Sequence, residues 1–161
     1  MSKKKINKYL VIILAIICLS LIFAFFVEYI LGHVPCNLCL YQRIPYVIAI
    51  VLILIIIIAK KYERVILFFL SILFSISAIL AFYHFGIEQN FFNESFVCEN
   101  NIFSSELSKD QLLEQLKKER ISCKDVNFKV MGLSLATINT IFSFFLSVIF
   151  MKLFKHYEKN K

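Results

Sequence analysis

Tryptophan is absent from this chain, and glycine and proline are scarce, with three and two copies among 161 residues. So few turn-forming residues leave no flexible linker, and neither an internal repeat nor a low-complexity segment is visible. Charge is also thin, at 18% of residues, while 60% are hydrophobic and the mean hydropathy is +0.77. A soluble domain of this length could not hide that much apolar surface. Other absences narrow the chemistry. No glycine-rich dinucleotide fingerprint is present. Covalent haem needs Cys-x-x-Cys-His, and Leu40 stands where that histidine would be. A nucleic-acid partner would need a basic face with stacking aromatics, and none is visible.

What is present is apolar sequence in blocks. Four runs, at about 9–31, 40–59, 65–85 and 130–150, are long enough to cross a bilayer as helices. Residues 1–161 are therefore expected to form one integral membrane domain. Loops at about 32–39 and 86–129 lie on one side of it. Lys3, Lys4, Lys5 and Lys8 precede the first run as they would in a signal peptide. The run is too long for a signal core and no small-x-small cleavage site follows, so it is expected to be a retained span.

Orientation follows from basic residues near the spans. Besides the amino-terminal lysines, Lys60, Lys61 and Arg64 lie between the second and third runs, and Lys152, Lys155, Lys159 and Lys161 follow the fourth. The positive-inside rule puts all three segments in the cytoplasm, so the net charge of +7 reports topology. Four of the five cysteines, Cys36, Cys39, Cys98 and Cys123, fall in the two loops of the opposite face. An even set there points to disulfides. The fifth, Cys18, lies within a span and reads as a small apolar packing residue. In the long loop, Ser108 with Gln111 makes a capping box and Leu107 with Leu112 a staple. A short amphipathic helix is expected over about 109–120, either on the membrane surface or as a solvated connection between two cysteines.

The stretch "PCNLCLYQRIPY", Pro35 to Tyr46, carries the chemistry. A zinc site on Cys36, Cys39, Cys98 and Cys123 is disfavoured, because Cys98 and Cys123 do not form a second tight pair and an oxidising compartment removes thiolates. Thiol–disulfide exchange fits better. In a helix, Cys36, Cys39 and Arg43 would fall within about 60° of one another, and a guanidinium and a helix amino terminus both favour a thiolate. By itself Arg43 would read as a snorkelling interfacial arginine. A bridge between Cys98 and Cys123 would close about 25 residues and contribute roughly 3.5 kcal/mol, enough for a structural role. In a polar, exposed loop it would also be open to a soluble partner. Two disulfides at different depths describe a relay, and a lipid-soluble quinone is an acceptor the composition leaves room for.

These residues resemble the DsbB family, the disulfide bond formation protein B family of bacterial inner-membrane thiol:quinone oxidoreductases. "PCNLCLYQRIPY" is similar to its signature, "FYHFGIEQNFF" (Phe82 to Phe92) to the end of its third span, and "CKDVNFKVMGLSLATIN" (Cys123 to Asn139) to the start of its fourth. The resemblance implies a four-span plan with both termini cytoplasmic; with the loop helix read above, the expected fold is an all-α membrane protein, a four-transmembrane-helix bundle with a short amphipathic helix in the second periplasmic loop. It implies that Cys39 faces a quinone, ubiquinone or menaquinone, and that Arg43 supports its binding. Cys98 would pair transiently with a DsbA-like periplasmic thioredoxin-fold protein, and Cys123 would pass electrons to Cys36. His84 matches the histidine of the family's Tyr-His pair near the quinone, although an interfacial histidine is otherwise a structural residue. Glu88 belongs to the same stretch. Phe128 and Ile138 stand where the family often carries tryptophan, which weakens interfacial anchoring and leaves the thiol chemistry intact. The rival readings are an enzyme resembling the vitamin K epoxide reductase family, whose Cys-x-x-Cys lies late in the bundle, and a non-enzymatic membrane protein with a structural loop bridge.

Overall fold

Long runs of Ile, Leu, Phe and Val can satisfy their backbone in lipid only by closing each hydrogen bond within the segment. The computed structural model, which describes residues 3–59, 62–93, 98, 123–124, 129–130 and 132–159, shows this outcome. Helix α1 spans Lys3–Tyr29, α2 Asn37–Ala59 and α3 Glu63–Glu88. A two-residue antiparallel pair, β1 (Lys129–Val130) with β2 (Leu133–Ser134), then leads into α4, Leu135–Lys159. All four helices contain membrane-crossing stretches of 23 to 26 residues.

The bundle is apolar on both faces. Leu10, Ile17, Ile53, Leu70, Phe74 and Phe150 pack inward with essentially no exposure. Ile22, Ile58, Ile79 and Phe144 point outward and are exposed, as suits a lipid-facing belt. The α3–α4 contact is the most extensive, and serines line it. Ser75 Oγ lies 2.7 Å from Ser147 Oγ and Ser77 Oγ lies 3.3 Å from Ser143 Oγ. Small side chains let the helices approach, and their hydroxyls bond across the seam in place of water.

The helix ends position the site. Cys36 is the amino-terminal cap of α2. Its carbonyl accepts the first helical bond, from the Leu40 N–H (3.3 Å), and its sulfur accepts the Cys39 N–H (3.4 Å). The helix thus starts directly after Pro35 and the cap, and Pro45 is accommodated inside it at the cost of one backbone bond. At α3, the N–H groups of Phe91 and Phe92 both return to the Gly86 carbonyl (2.8 and 3.2 Å), and Asn90 takes the left-handed conformation at φ 60°. A Cβ on Gly86 would meet the Phe92 ring at 2.1 Å, so the glycine permits this fold-back.

The fourth helix begins at Leu135, five residues later than the hydropathy pattern suggests. Residues 129–134 are spent on the β1–β2 pair, where Gly132 has φ +82°, and on a cap. That cap is Ser134, whose Oγ accepts the Thr137 N–H at 3.1 Å. The expected loop helix at 109–120 lies outside the described residues.

Candidate thiol–disulfide centre

At the end of the bundle where α2 begins, α3 ends and α4 begins, all four loop cysteines meet. Cys36, Cys98 and Cys123 are buried in one apolar cluster with Leu38 and Ile87, and Cys39, Leu80 and Tyr83 pack against it. Cys98 and Cys123 are joined as a disulfide. Cys36 and Cys39 are free thiols with their sulfurs 3.0 Å apart. The bridge is not displayed on a polar surface, as its sequence surroundings suggest. Cys98 is 7% exposed and Cys123 3%.

Cys36 is built to be a thiolate. The Cys39 thiol is the principal cause, since its S–H can donate to the Cys36 sulfur; His84 adds a hydrogen bond and positive potential, while burial opposes. The result holds the Cys36 pKa down at about 4, from an ordinary value of 9.0. The cap position contributes in the same direction, because the Cys39 backbone N–H, in the first turn of α2, donates to the sulfur.

His84, on α3, is 2% exposed, and its Nε2 lies 3.5 Å from Cys36 Sγ. Its Nδ1 lies 3.1 Å from Gln42 Nε2. An amide N–H can only donate, so Nδ1 accepts and an Nε2–H faces the thiolate. A chain of side chains supports this orientation. Gln42 Oε1 accepts from Asn139 Nδ2 at 2.6 Å, Asn139 Oδ1 accepts from the Tyr46 hydroxyl, and Tyr46 also meets Ser143 at 3.0 Å. Glu88, one turn after His84, places Oε1 3.8 Å from Nε2, and its other oxygen accepts from the Ser134 hydroxyl. The residue that caps α4 therefore also anchors the carboxylate.

Beside the thiols lies a cavity of about 580 Å³, walled by apolar side chains of α1 and α4 and by Cys36, Cys39, Gln42, Arg43, His84 and Glu88. Arg43 borders it, but its guanidinium is held by the Glu28 carboxylate of α1 and lies over the Phe25 ring, 5.0 Å from its centroid. Glu28, Gln42, Tyr46 and Asn139 are site residues that motif reading passed over. Their signal was present, since polar side chains inside apolar spans are costly and mark function. Cys18 sits half-buried on α1 as a free thiol.

Four membrane-type helices closing over a dithiol, with a disulfide packed against it, define a membrane-embedded thiol–disulfide protein. The chain belongs to the disulfide bond formation protein DsbB family, whose profile matches residues 7–153. It is also similar to the uncharacterized protein RP370 of Rickettsia prowazekii (strain Madrid E), at 30% identity over 161 residues, covering 97% of this chain and 93% of that one. Membership makes it an integral membrane oxidoreductase of disulfide bond formation.

Proposed function

We propose that the protein reoxidises a DsbA-like periplasmic dithiol protein and passes the electron pair to a quinone of the bacterial inner membrane, with both termini cytoplasmic. The observation that supports this reading above others is the packing of Cys36 against the Cys98–Cys123 bridge at the edge of the cavity.

The partner's dithiol reduces the Cys98–Cys123 disulfide through a mixed disulfide at Cys98, leaving the partner oxidised. The Cys123 thiolate then attacks Cys36 of a Cys36–Cys39 disulfide, and Cys98 resolves the Cys36–Cys123 link. The products are the loop disulfide and the membrane dithiol, the pairing seen here. A quinone, ubiquinone or menaquinone, would supply an acceptor for two electrons and two protons when bound.

The cavity suits such a group. Its volume falls in the range of small-molecule sites, and its walls are apolar with a few polar groups at one end. Leu19, Phe23, Val27 and Phe142 would hold the ring and tail, and Asn139 and Arg43 border the same space. An N–H at His84 Nε2 beside Cys36 would stabilise the thiolate.

The test is the redox state of Cys36 and Cys39 in quinone-depleted membranes supplied with reduced partner. They should accumulate as dithiol and return to disulfide when quinone is added. An unchanged redox state would leave a membrane protein with a structural loop bridge.

A further inference from the structure

We infer that Cys36, Cys39 and His84, completed by Glu88, form a binding site for a thiophilic divalent cation of the zinc class, open only in the dithiol state. This is a different donor set from four loop thiolates, because Cys98 and Cys123 are tied to each other. The donor atoms of Cys36, Cys39 and His84 all lie within 4.8 Å of one another, on two buried side chains and one half-buried one.

The distances match tetrahedral coordination. With Zn–S near 2.3 Å and Zn–N near 2.0–2.1 Å, ligand sulfurs stand roughly 3.8 Å apart and a sulfur and a nitrogen roughly 3.6 Å. Cys36 Sγ and His84 Nε2 are 3.5 Å apart already, and the two sulfurs, at 3.0 Å, need only a small rotamer adjustment to part. Glu88 Oε1, 3.8 Å from Nε2 on a side chain 7% exposed, lies outside that three-donor group and would have to swing toward the sulfurs to serve as the fourth ligand.

The surroundings also fit. A ligating imidazole donates its other N–H to an oxygen, and a ligating carboxylate is itself hydrogen-bonded. Ser134 already donates to Glu88. Nδ1 of His84 faces the Gln42 amide, which would turn to present its oxygen when the metal takes Nε2. The chain beyond tolerates that reversal, since Gln42 Nε2 can donate to Asn139 Oδ1 and Asn139 Nδ2 to the Tyr46 oxygen.

Binding exchanges thiol protons for the cation and moves no electrons. A disulfide offers no thiolate, so metal and oxidation exclude each other. The consequence for turnover, arrest of the relay at the membrane dithiol, rests on the proposed function; the site does not.

The experiment titrates the full-length, quinone-free, reduced protein in detergent with Co²⁺, followed by Zn²⁺. One Co²⁺ per chain should bind with tetrahedral ligand-field and thiolate charge-transfer absorption, and Zn²⁺ should displace it. The same protein oxidised with diamide should show no such bands, an arm that needs no variant. A Cys98→Ser/Cys123→Ser protein should retain the bands and Cys36→Ser should lose them. Gln42→Leu, with helical content checked by circular dichroism, should weaken Co²⁺ by about 10- to 100-fold. Bands that persist after oxidation, survive Cys36→Ser or require Cys98 and Cys123 would overturn the site. Co²⁺ binding in a protein that never reduces quinone would overturn the proposed function and leave the site standing.

Discussion

Cys36 combines three supports in one sulfur: a thiol neighbour, a helix amino terminus and a histidine N–H. Its thiolate fraction should be half at about pH 4, so its alkylation rate should be nearly flat between about pH 6 and 8, where an ordinary thiol's climbs close to tenfold per unit. Because the Cys39 contact is the larger cause, Cys39→Ala should raise the midpoint further than His84→Ala. The pH profile of iodoacetamide labelling read by mass spectrometry checks both, and the reverse order would misplace the thiolate's support. Arg43 makes a second case. Its charge meets Glu28 with side chains only 17% and 19% exposed, so both are largely shielded. Glu28→Gln should destabilise the protein by about 1–3 kcal/mol by stranding the guanidinium. Glu28→Gln/Arg43→Gln should recover much of that loss in a thermal-unfolding cycle, and additive losses would show that the pair is not coupled.

At the scale of the element, the junction before α4 carries most of the positioning. Ser134 serves both the helix and Glu88, so Ser134→Ala should cost about 1 kcal/mol and Ser134→Thr much less. Denaturant unfolding in mild detergent measures this, and equal losses for the two variants would deny the hydroxyl its role. The four helices were legible from hydropathy because lipid demands length and apolarity and nothing subtler. The start of α4 was not, because Val130, Met131 and Leu133 extend the apolar run while Gly132 and Ser134 set the true boundary. The cysteines were legible as a motif. Gln42, Asn139 and Tyr46 were not, because Gln42 and Tyr46 lie on α2 and Asn139 on α4, and only the rotation of α2 against α4 brings them together. Glu28 likewise gains meaning only once α1 lies beside Arg43. The Cys98–Cys123 pairing was legible beside the Cys-x-x-Cys motif, but its burial against Cys36 depends on tertiary packing that no local pattern encodes.

Across the whole molecule, exchange with a periplasmic dithiol protein requires the dithiol end of the bundle to face the periplasm. Reporter fusions after Lys61 and after Lys161 should be active only with a cytoplasmic reporter, since Lys and Arg set the orientation; a periplasmic signal from either would invert the proposal. The central claim is that the two cysteine pairs exchange through Cys123 and Cys36, and it can be tested without knowing the quinone or the partner. In a Cys39→Ser/Cys98→Ser protein, each exchanging cysteine has lost its own mate. Mass spectrometry of the purified, mildly oxidised chain should find an intramolecular Cys36–Cys123 disulfide, since the two sulfurs share one buried cluster and each is left only the other to attack. Cys36 and Cys123 remaining as thiols, or either of them joined to Cys18, would contradict the relay.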